Sequence, residues 1–376
     1  MALVLNEEQS MLQNIAREFC ASNAPIEQLR RLRDEGNACG FDEKTWSEMV
    51  KLGWAGINVP EGLGGSAFGY MGLGVVMREC GRSLVASPLF STAVIGVTAL
   101  TADRCPSVDE VLGQIVRGEL LMALALEETP IHSPYDVGST AQRMDDGFFE
   151  VSGKKTFVLD GHIADKLIVV ARSDKELGQR EGLTVVLVDG NDPRVNVTRT
   201  QMLDARNAAN VEFTGARGTL IGEEGRGAEL LDRILDAGRI LLAAEMLGSV
   251  EACFEQTIEY LKVREQFGVP IGTFQALKHR AAEMFCEIEL CKSVVMEALS
   301  VLDEPTEQLP VLASLAKCRL NDTFHRVSTE GIQMHGGIGM TDEHNIGFFL
   351  KRSRVCEQMF GSSAYHRDRF GSLNGY

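Results

Sequence analysis

The chain has 376 residues, more than one hydrophobic core ordinarily holds, so two or three packed units are expected. Its 53 Asp and Glu residues outnumber 37 Lys and Arg, the formal net charge is -16, and no dense basic run interrupts the excess, which argues against a nucleic-acid partner bound through neutralised phosphates. The longest apolar run, residues 89–100, is too short to cross a bilayer and the opening MALVLNEEQS lacks a basic leader segment, so a cytoplasmic protein without membrane association is expected.

Residues 1–118 read as a helical domain. Asn6 and Gln9 have the spacing of a capping box, and Met11, Ile15 and Phe19 recur behind them at helical intervals. A second helical run covers residues 45–52 and ends in GWAGINVPEGLGG, where Pro60, Gly62, Gly64 and Gly65 form a loop that no helix continues through. Near Leu120 the pattern changes. LMALALEE, FFEVSG, KTFVLDG, DKLIVVAR, LTVVLVDG and NVEFTG are short β-rich runs separated by Asp-Gly and Ser-Gly turn pairs, which predicts a middle β-barrel domain over residues 119–222. The polar SDKELGQREG within it, residues 173–182, reads as an exposed hairpin loop. Amphipathic runs then cover residues 228–263, 274–302, 309–334 and 342–360, giving a C-terminal four-helix bundle over residues 223–376 and an α+β multidomain class.

The nine cysteines (Cys20, Cys39, Cys80, Cys105, Cys253, Cys286, Cys291, Cys318, Cys356) are odd in number, scattered and without a CxxC pair, so reduced packing thiols are expected. His132, His162, His279, His325, His335, His344 and His366 show no metal spacing either, and no metal site is expected. Gly336, Gly337 and Gly339 lie between two apolar helical runs. They open backbone angles closed to other residues and let a ligand approach bare amides, which suits a pyrophosphate and equally an ordinary interhelical turn.

Four stretches, LGWAGINVPEGLGG, GKKTFVLDGHIAD, VREQFGVPIGTFQALKH and QMHGGIGMTDE, together resemble the acyl-CoA dehydrogenase family in content and in order. The resemblance spans nearly the whole chain. It implies an FAD flavoprotein whose flavin lies between β-domain and bundle, with the ADP half of FAD reaching a neighbouring subunit. The residues matching that neighbour-facing half are Arg264, Gln266, Phe267, Phe274, Gln275, Gln333, Gly336 and Gly337, with Ser362 following the base position. A guanidinium such as Arg264's suits bidentate binding of a pyrophosphate. Asp236 and Arg239 in LDAGR match the region that holds the CoA arm of the acyl-CoA thioester, although two such residues three apart on a helix also form simple ion pairs.

The same resemblance exposes losses. The family removes an α-proton with a Glu before a Gly-Thr/Ser pair, and that place is Phe360, which accepts no proton. The alternative base position, just before Arg239, is Gly238. Glu245 lies two helical turns further on, on the same face, among apolar residues; it is either a relocated base or half of an ion pair. Glu127 replaces a flavin-contacting Thr ahead of a lengthened IHSPYDVGS, and Leu159 replaces another hydroxyl in Phe157-Val158-Leu159. The expectation is a catalytically reduced subunit of a hetero-oligomeric acyl-CoA dehydrogenase, dimer or tetramer, completed by a second subunit of the same kind and handling a bulky thioester such as a steroid side-chain ester. The rival readings are a self-sufficient dehydrogenase using Glu245, a flavin monooxygenase or oxidase on the same fold, and a non-enzymatic interaction protein.

Overall fold

The structure is a computed structural model that describes residues 4–102, 108–174 and 178–376. In chain order it runs through α1 (Glu7–Asn23), α2 (Ile26–Asp34), α3 (Glu43–Lys51), α4 (Tyr70–Arg82), a π-helical stretch Phe90–Gly96 continuing into α5 (Val97–Ala102), and α6 (Asp109–Val116). Seven strands follow: β1 (Met122–Ala125), β2 (Thr140–Arg143), β3 (Phe149–Leu159), β4 (Lys166–Arg172), β5 (Leu183–Asp189), β6 (Val195–Gln201) and β7 (Asn207–Ile221). The remainder is α7 (Gly227–Val263), the short pair β8 (Glu265–Gln266) and β9 (Val269–Pro270), α8 (Gln275–Asp303), α9 (Leu309–His335), α10 (Ile346–Gln358) and α11 (Ser363–Leu373). Two compact units emerge, one from residues up to Arg31, Tyr70–Val85 and Arg239–Tyr376, the other from Leu32–Gly69 and Ala86–Gly238. The N-terminal helices are therefore shared between them.

The first unit is helical. The capping box forms as the spacing predicts, Asn6 accepting from the Gln9 amide at 2.8 Å and Gln9 accepting from the Asn6 amide at 3.0 Å. The apolar face read for α1 is not the buried one, however: Met11 is 65% and Ile15 43% exposed, while Ala16 and Cys20 are buried. The reason is Glu79 of α4, a buried carboxylate that takes Gln13 Nε2 at 3.0 Å and a two-nitrogen contact from Arg17. Leaving that charge unpaired costs several kcal/mol, roughly, more than the partial exposure of two apolar side chains. Where α4 crosses α7 the backbones touch: a Cβ on Gly81 would lie 1.9 Å from the Glu245 carbonyl oxygen, and one on Gly248 would lie 1.8 Å from that of Arg78. The bundle carries a fifth helix, α11, which the sequence pattern did not separate; the Ser362 hydroxyl caps it, accepting from the Tyr365 amide at 3.3 Å.

The second unit is built on the barrel. β4, β2, β3, β7 and β5 form a closed ring, with β1 parallel to β4 and β6 antiparallel to β7 as appended strands. Val151, Leu167, Val169, Val186, Val211 and Phe213 fill it. FFEVSG and KTFVLDG are one strand, β3, interrupted by two register shifts against β7 rather than by a turn. β2 and β6 escaped the sequence reading because they are polar on the outside: Thr140, Asn196, Thr198 and Arg199 are exposed. β4 and β5 pair antiparallel, so residues 173–182 do close a hairpin, with residues 175–177 outside the described ones. Buried Arg172 ties that hairpin to the lengthened loop before β2 by donating to the carbonyls of Tyr135 at 2.8 Å, Val137 at 3.1 Å, Glu181 at 2.8 Å and Gln179. The GWAGINVPEGLGG loop makes two 3-10 turns, Trp54–Gly56 and Glu61–Leu63.

Candidate functional site: a nucleotide cradle and an altered base position

α7 ends at Val263, and the Arg264 amide still donates to the Tyr260 carbonyl at 2.9 Å. The chain then reverses through β8 and β9 with Phe267 (φ 56) and Gly268 (φ 75) as the two turn residues, the positive-φ pair that a two-residue hairpin requires. A Phe in the left-handed region costs roughly 1–2 kcal/mol. Phe267 is nevertheless held there and is 92% exposed, its ring edge-on to Phe274 at 6.1 Å. Phe274 precedes α8 without a side-chain acceptor for the first amides, so the Gln275 end of that long helix presents unsatisfied N–H groups.

α9 ends at His335, and Gly336 (φ 65) turns the chain away. A Cβ on Gly336 or Gly337 would meet nothing within 4 Å, so the backbone here is open to a ligand. Arg264 and Gln333 are exposed, and among the described residues neither side chain has a hydrogen-bond or ion-pair partner. Around them Val263, Phe267, Phe274, Ile338 and Met340 are exposed apolar side chains, a composition suited to contact rather than to water. An unpaired guanidinium, free amides at a helix start and an open glycine turn fit the pyrophosphate of an ADP group.

Phe360 sits on the loop between α10 and α11 with φ 54, followed by Gly361 at φ 115. Its carbonyl accepts from Arg239 Nε at 3.2 Å and from the His366 ring at 3.0 Å. The Gly361 carbonyl accepts from Lys317 Nζ at 3.0 Å and from Asn321 at 3.3 Å. Lys317 is fully buried, with two further acceptors in Asn321 Oδ1 at 2.7 Å and the Cys356 carbonyl at 2.9 Å, and burial lowers its pKa to about 7. A side chain on Gly361 would collide with the Tyr365 and His366 rings. The loop is thus held rigidly from four donors, yet what it presents is an apolar ring.

Glu245, the other candidate base, is the anionic half of a buried ion pair: Arg352 approaches it with Nε at 3.1 Å and a second guanidinium nitrogen at 2.9 Å. Of the two sequence readings of this residue, the geometry is that of the ion pair. Arg239 is buried with its guanidinium 5.5 Å from the Tyr365 ring centre, and Asp236 is buried in the other unit.

In the barrel unit the substituted position Glu127 is bound to His132, Oε1 to Nδ1 at 2.5 Å. Its neighbour Glu128 takes the amides of Gly138 at 2.8 Å and Ser139 at 3.0 Å, the Ser139 hydroxyl at 2.7 Å and Lys155 Nζ at 2.7 Å. Burial raises the Glu128 pKa, but Lys155 and Ser139 outweigh it and the net direction is down. Burial takes Lys155 to about 8 against the pull of Glu128. The carboxylates here are committed to holding the residue 129–139 loop. Sequence reasoning set His132 and His335 aside with the other histidines; their signal was position, one five residues after Glu127 and one inside QMHGG. Among the described residues no group of three or more His, Cys, Asp or Glu is placed to hold a metal, and no helix is long and apolar enough to cross a membrane. Eight cysteines are free thiols; Cys105 lies outside the described residues.

Comparison with known proteins agrees with this architecture. The acyl-CoA dehydrogenase N-terminal, middle and C-terminal domains match residues 6–103, 127–216 and 225–372, and the chain belongs to the acyl-CoA dehydrogenase family of FAD-dependent flavoprotein oxidoreductases. It is 30% identical over 357 residues to acyl-CoA dehydrogenase IpdE2 of Mycobacterium tuberculosis, covering 95% of this chain and 94% of that protein. It is 26% identical to the caffeyl-CoA reductase-Etf complex subunit CarC of Acetobacterium woodii, covering 96% of each. Among solved structures, a variant of the Tcur3481-Tcur3483 steroid acyl-CoA dehydrogenase superposes with a TM-score of 0.89 at 28% identity, covering 98% of each chain.

Proposed function

We propose that this chain is the catalytically reduced subunit of a hetero-oligomeric acyl-CoA dehydrogenase, lending Arg264, Gln266, Gln333 and the Gly336–Gly337 turn to FAD seated mainly in a partner subunit. When bound, FAD supplies the hydride acceptor for α,β-dehydrogenation of an acyl-CoA thioester. The contribution of this chain is to bind and orient the ADP half. The single observation that carries the reading is the contrast between an intact, exposed cradle around an unpaired Arg264 and a base position filled by Phe360 on a loop otherwise fully held. The Glu245–Arg352 pair disfavours a self-sufficient enzyme with a relocated base. A bulky thioester is the proposed substrate class, supported by the likeness to the Tcur3481-Tcur3483 steroid acyl-CoA dehydrogenase, and a cytoplasmic location goes with it.

The test is FAD per polypeptide, from visible absorbance, on the purified chain alone and after co-expression with an adjacent acyl-CoA dehydrogenase-like reading frame. No flavin alone and about one FAD per pair with the partner is the expected result. One FAD per chain in the lone protein, with turnover of an acyl-CoA, would overturn the proposal.

A further inference from the structure

His335 lies inside the cradle motif, between Gln333 and Gly336, yet its imidazole is only 3% exposed. Nδ1 donates to the Gly331 carbonyl at 2.7 Å, so Nε2 carries the lone pair, and Nε2 is buried without a hydrogen-bond partner among the described residues. One ring face stacks on Tyr260 of α7 at 4.4 Å and 27°. His344, from the segment leading into α10, packs against the same ring at 4.5 Å and 52°. The Tyr260 carbonyl holds the Arg264 amide, and the Arg264 carbonyl accepts from Ile271 at 2.8 Å, which closes the β8–β9 hairpin. His344 Nδ1 accepts from the Ile346 amide at 3.1 Å, at the first residue of α10. Three segments that are distant in sequence therefore meet on one imidazole.

We propose that His335 is a positioning residue of the nucleotide cradle: as a neutral ring it keeps the Arg264 hairpin and the Gly336–Gly337 turn in one alignment, so that the guanidinium and the open glycine turn face the same pyrophosphate. This rests on the reading of the cradle given above. Proton uptake at Nε2 places a new donor and a charge where no acceptor faces it. From α7 the ring meets Tyr260, from α9 the Gly331 carbonyl, and from the α10 lead-in His344. Burial lowers the pKa of both rings, His344 adding to the effect on His335 against the pull of the Gly331 carbonyl and Arg30 adding to the effect on His344. The carboxylates of the lead-in offer no relief, because Asp342 is bound by Arg30 and Lys351 and Glu343 is exposed. A folded pKa below the unfolded value of 6.5 means that the aligned cradle is favoured above pH 6.5 and loses ground as pH falls through and below it.

The test compares amide hydrogen-exchange protection of residues 264–271 and 336–341 in the full chain at about pH 7.5 and about pH 5, where an ordinary imidazole changes charge. Wild type should lose protection in both segments together at the lower pH. His335→Phe keeps a stacking ring that cannot titrate and should abolish that pH dependence; His335→Ala should loosen both segments at both pH values. Segments that respond independently, or a His335→Phe profile identical to wild type, would overturn the positioning role. In the assembly that retains flavin, FAD release followed by flavin fluorescence should show the same pH dependence in wild type and its loss in His335→Phe; retained FAD with an unchanged profile also overturns it. If no assembly retains FAD while the two segments still move together, the positioning role stands and the proposed function falls.

Discussion

The Glu245–Arg352 pair separates the two roles open to Glu245, a buried carboxylate in the middle of α7. Both groups are inside the helical unit, so Glu245→Gln removes a charge and leaves the Arg352 guanidinium buried beside a neutral amide. Breaking one side of a buried pair costs about 3–5 kcal/mol, because the remaining ion keeps its desolvation penalty and loses its Coulombic return. Replacing both partners with apolar residues of similar volume, as in Glu245→Leu with Arg352→Met, removes both penalties and should bring stability back to within about 1–2 kcal/mol of wild type. With Glu245→Leu and Arg352→Met alone each costing about 3–5 kcal/mol, the coupling term of the double-mutant cycle is at least about 4 kcal/mol in favour of the pair. Urea denaturation followed by far-UV circular dichroism reads it as a shift of midpoint, with the slope checked for constancy. The assembled enzyme's turnover should survive Glu245→Gln in proportion to folded protein. A Glu245→Gln variant with an unchanged midpoint and abolished turnover would refute the structural role and make Glu245 the base.

Phe360→Glu places a carboxylate on a loop whose carbonyls are already held by Arg239, His366, Lys317 and Asn321, and should leave acyl-CoA dehydrogenation by a flavin-loaded assembly essentially unchanged, because the flavin and its base lie in the partner; a rise of about a hundredfold or more in stopped-flow flavin bleaching, the size of a general-base contribution, would place a flavin against this loop and overturn the proposed division of roles. Arg264→Ala removes an exposed guanidinium that supports nothing else in the fold, so FAD retention should fall about tenfold or more while the melting temperature moves by less than about 1 °C. Glu128 has a folded pKa below its ordinary 4.5, so its contribution is present above pH 4.5 and is lost as pH falls below it; Glu128→Gln should destabilise the protein at pH 7, with the difference from wild type shrinking at about pH 3 in acid titration by circular dichroism. Gly248→Ala would set a methyl 1.8 Å from the Arg78 carbonyl oxygen, which forces α4 and α7 apart. Soluble yield and melting temperature should drop sharply, by more than about 3 kcal/mol in stability.

Much of this protein was legible in the residues because its signals are local. The Asn6–Gln9 cap, the barrel strands rich in Val and Leu, the long periodic helices and the glycine turn after α9 each depend on side chains a few positions apart, and the order of the motifs carries the family. That Phe360 accepts no proton is also a sequence fact, since no fold turns a phenyl ring into a proton acceptor. What needed the tertiary structure depends on partners far along the chain. Which face of α1 is buried follows from Glu79, sixty-two residues beyond Arg17, and not from the spacing of Met11 and Ile15. β6 is a strand because β7 offers it a ladder, its own apolar alternation being limited to Val195 and Val197. Glu245 becomes an ion pair through Arg352, 107 positions later, and the ends of α7 and α9 meet the lead-in to α10 through the rings of Tyr260, His335 and His344. Periodicity reports what a segment does with its own neighbours; charge pairing and ring stacking between distant segments are settled only when the backbone brings them within a few ångströms.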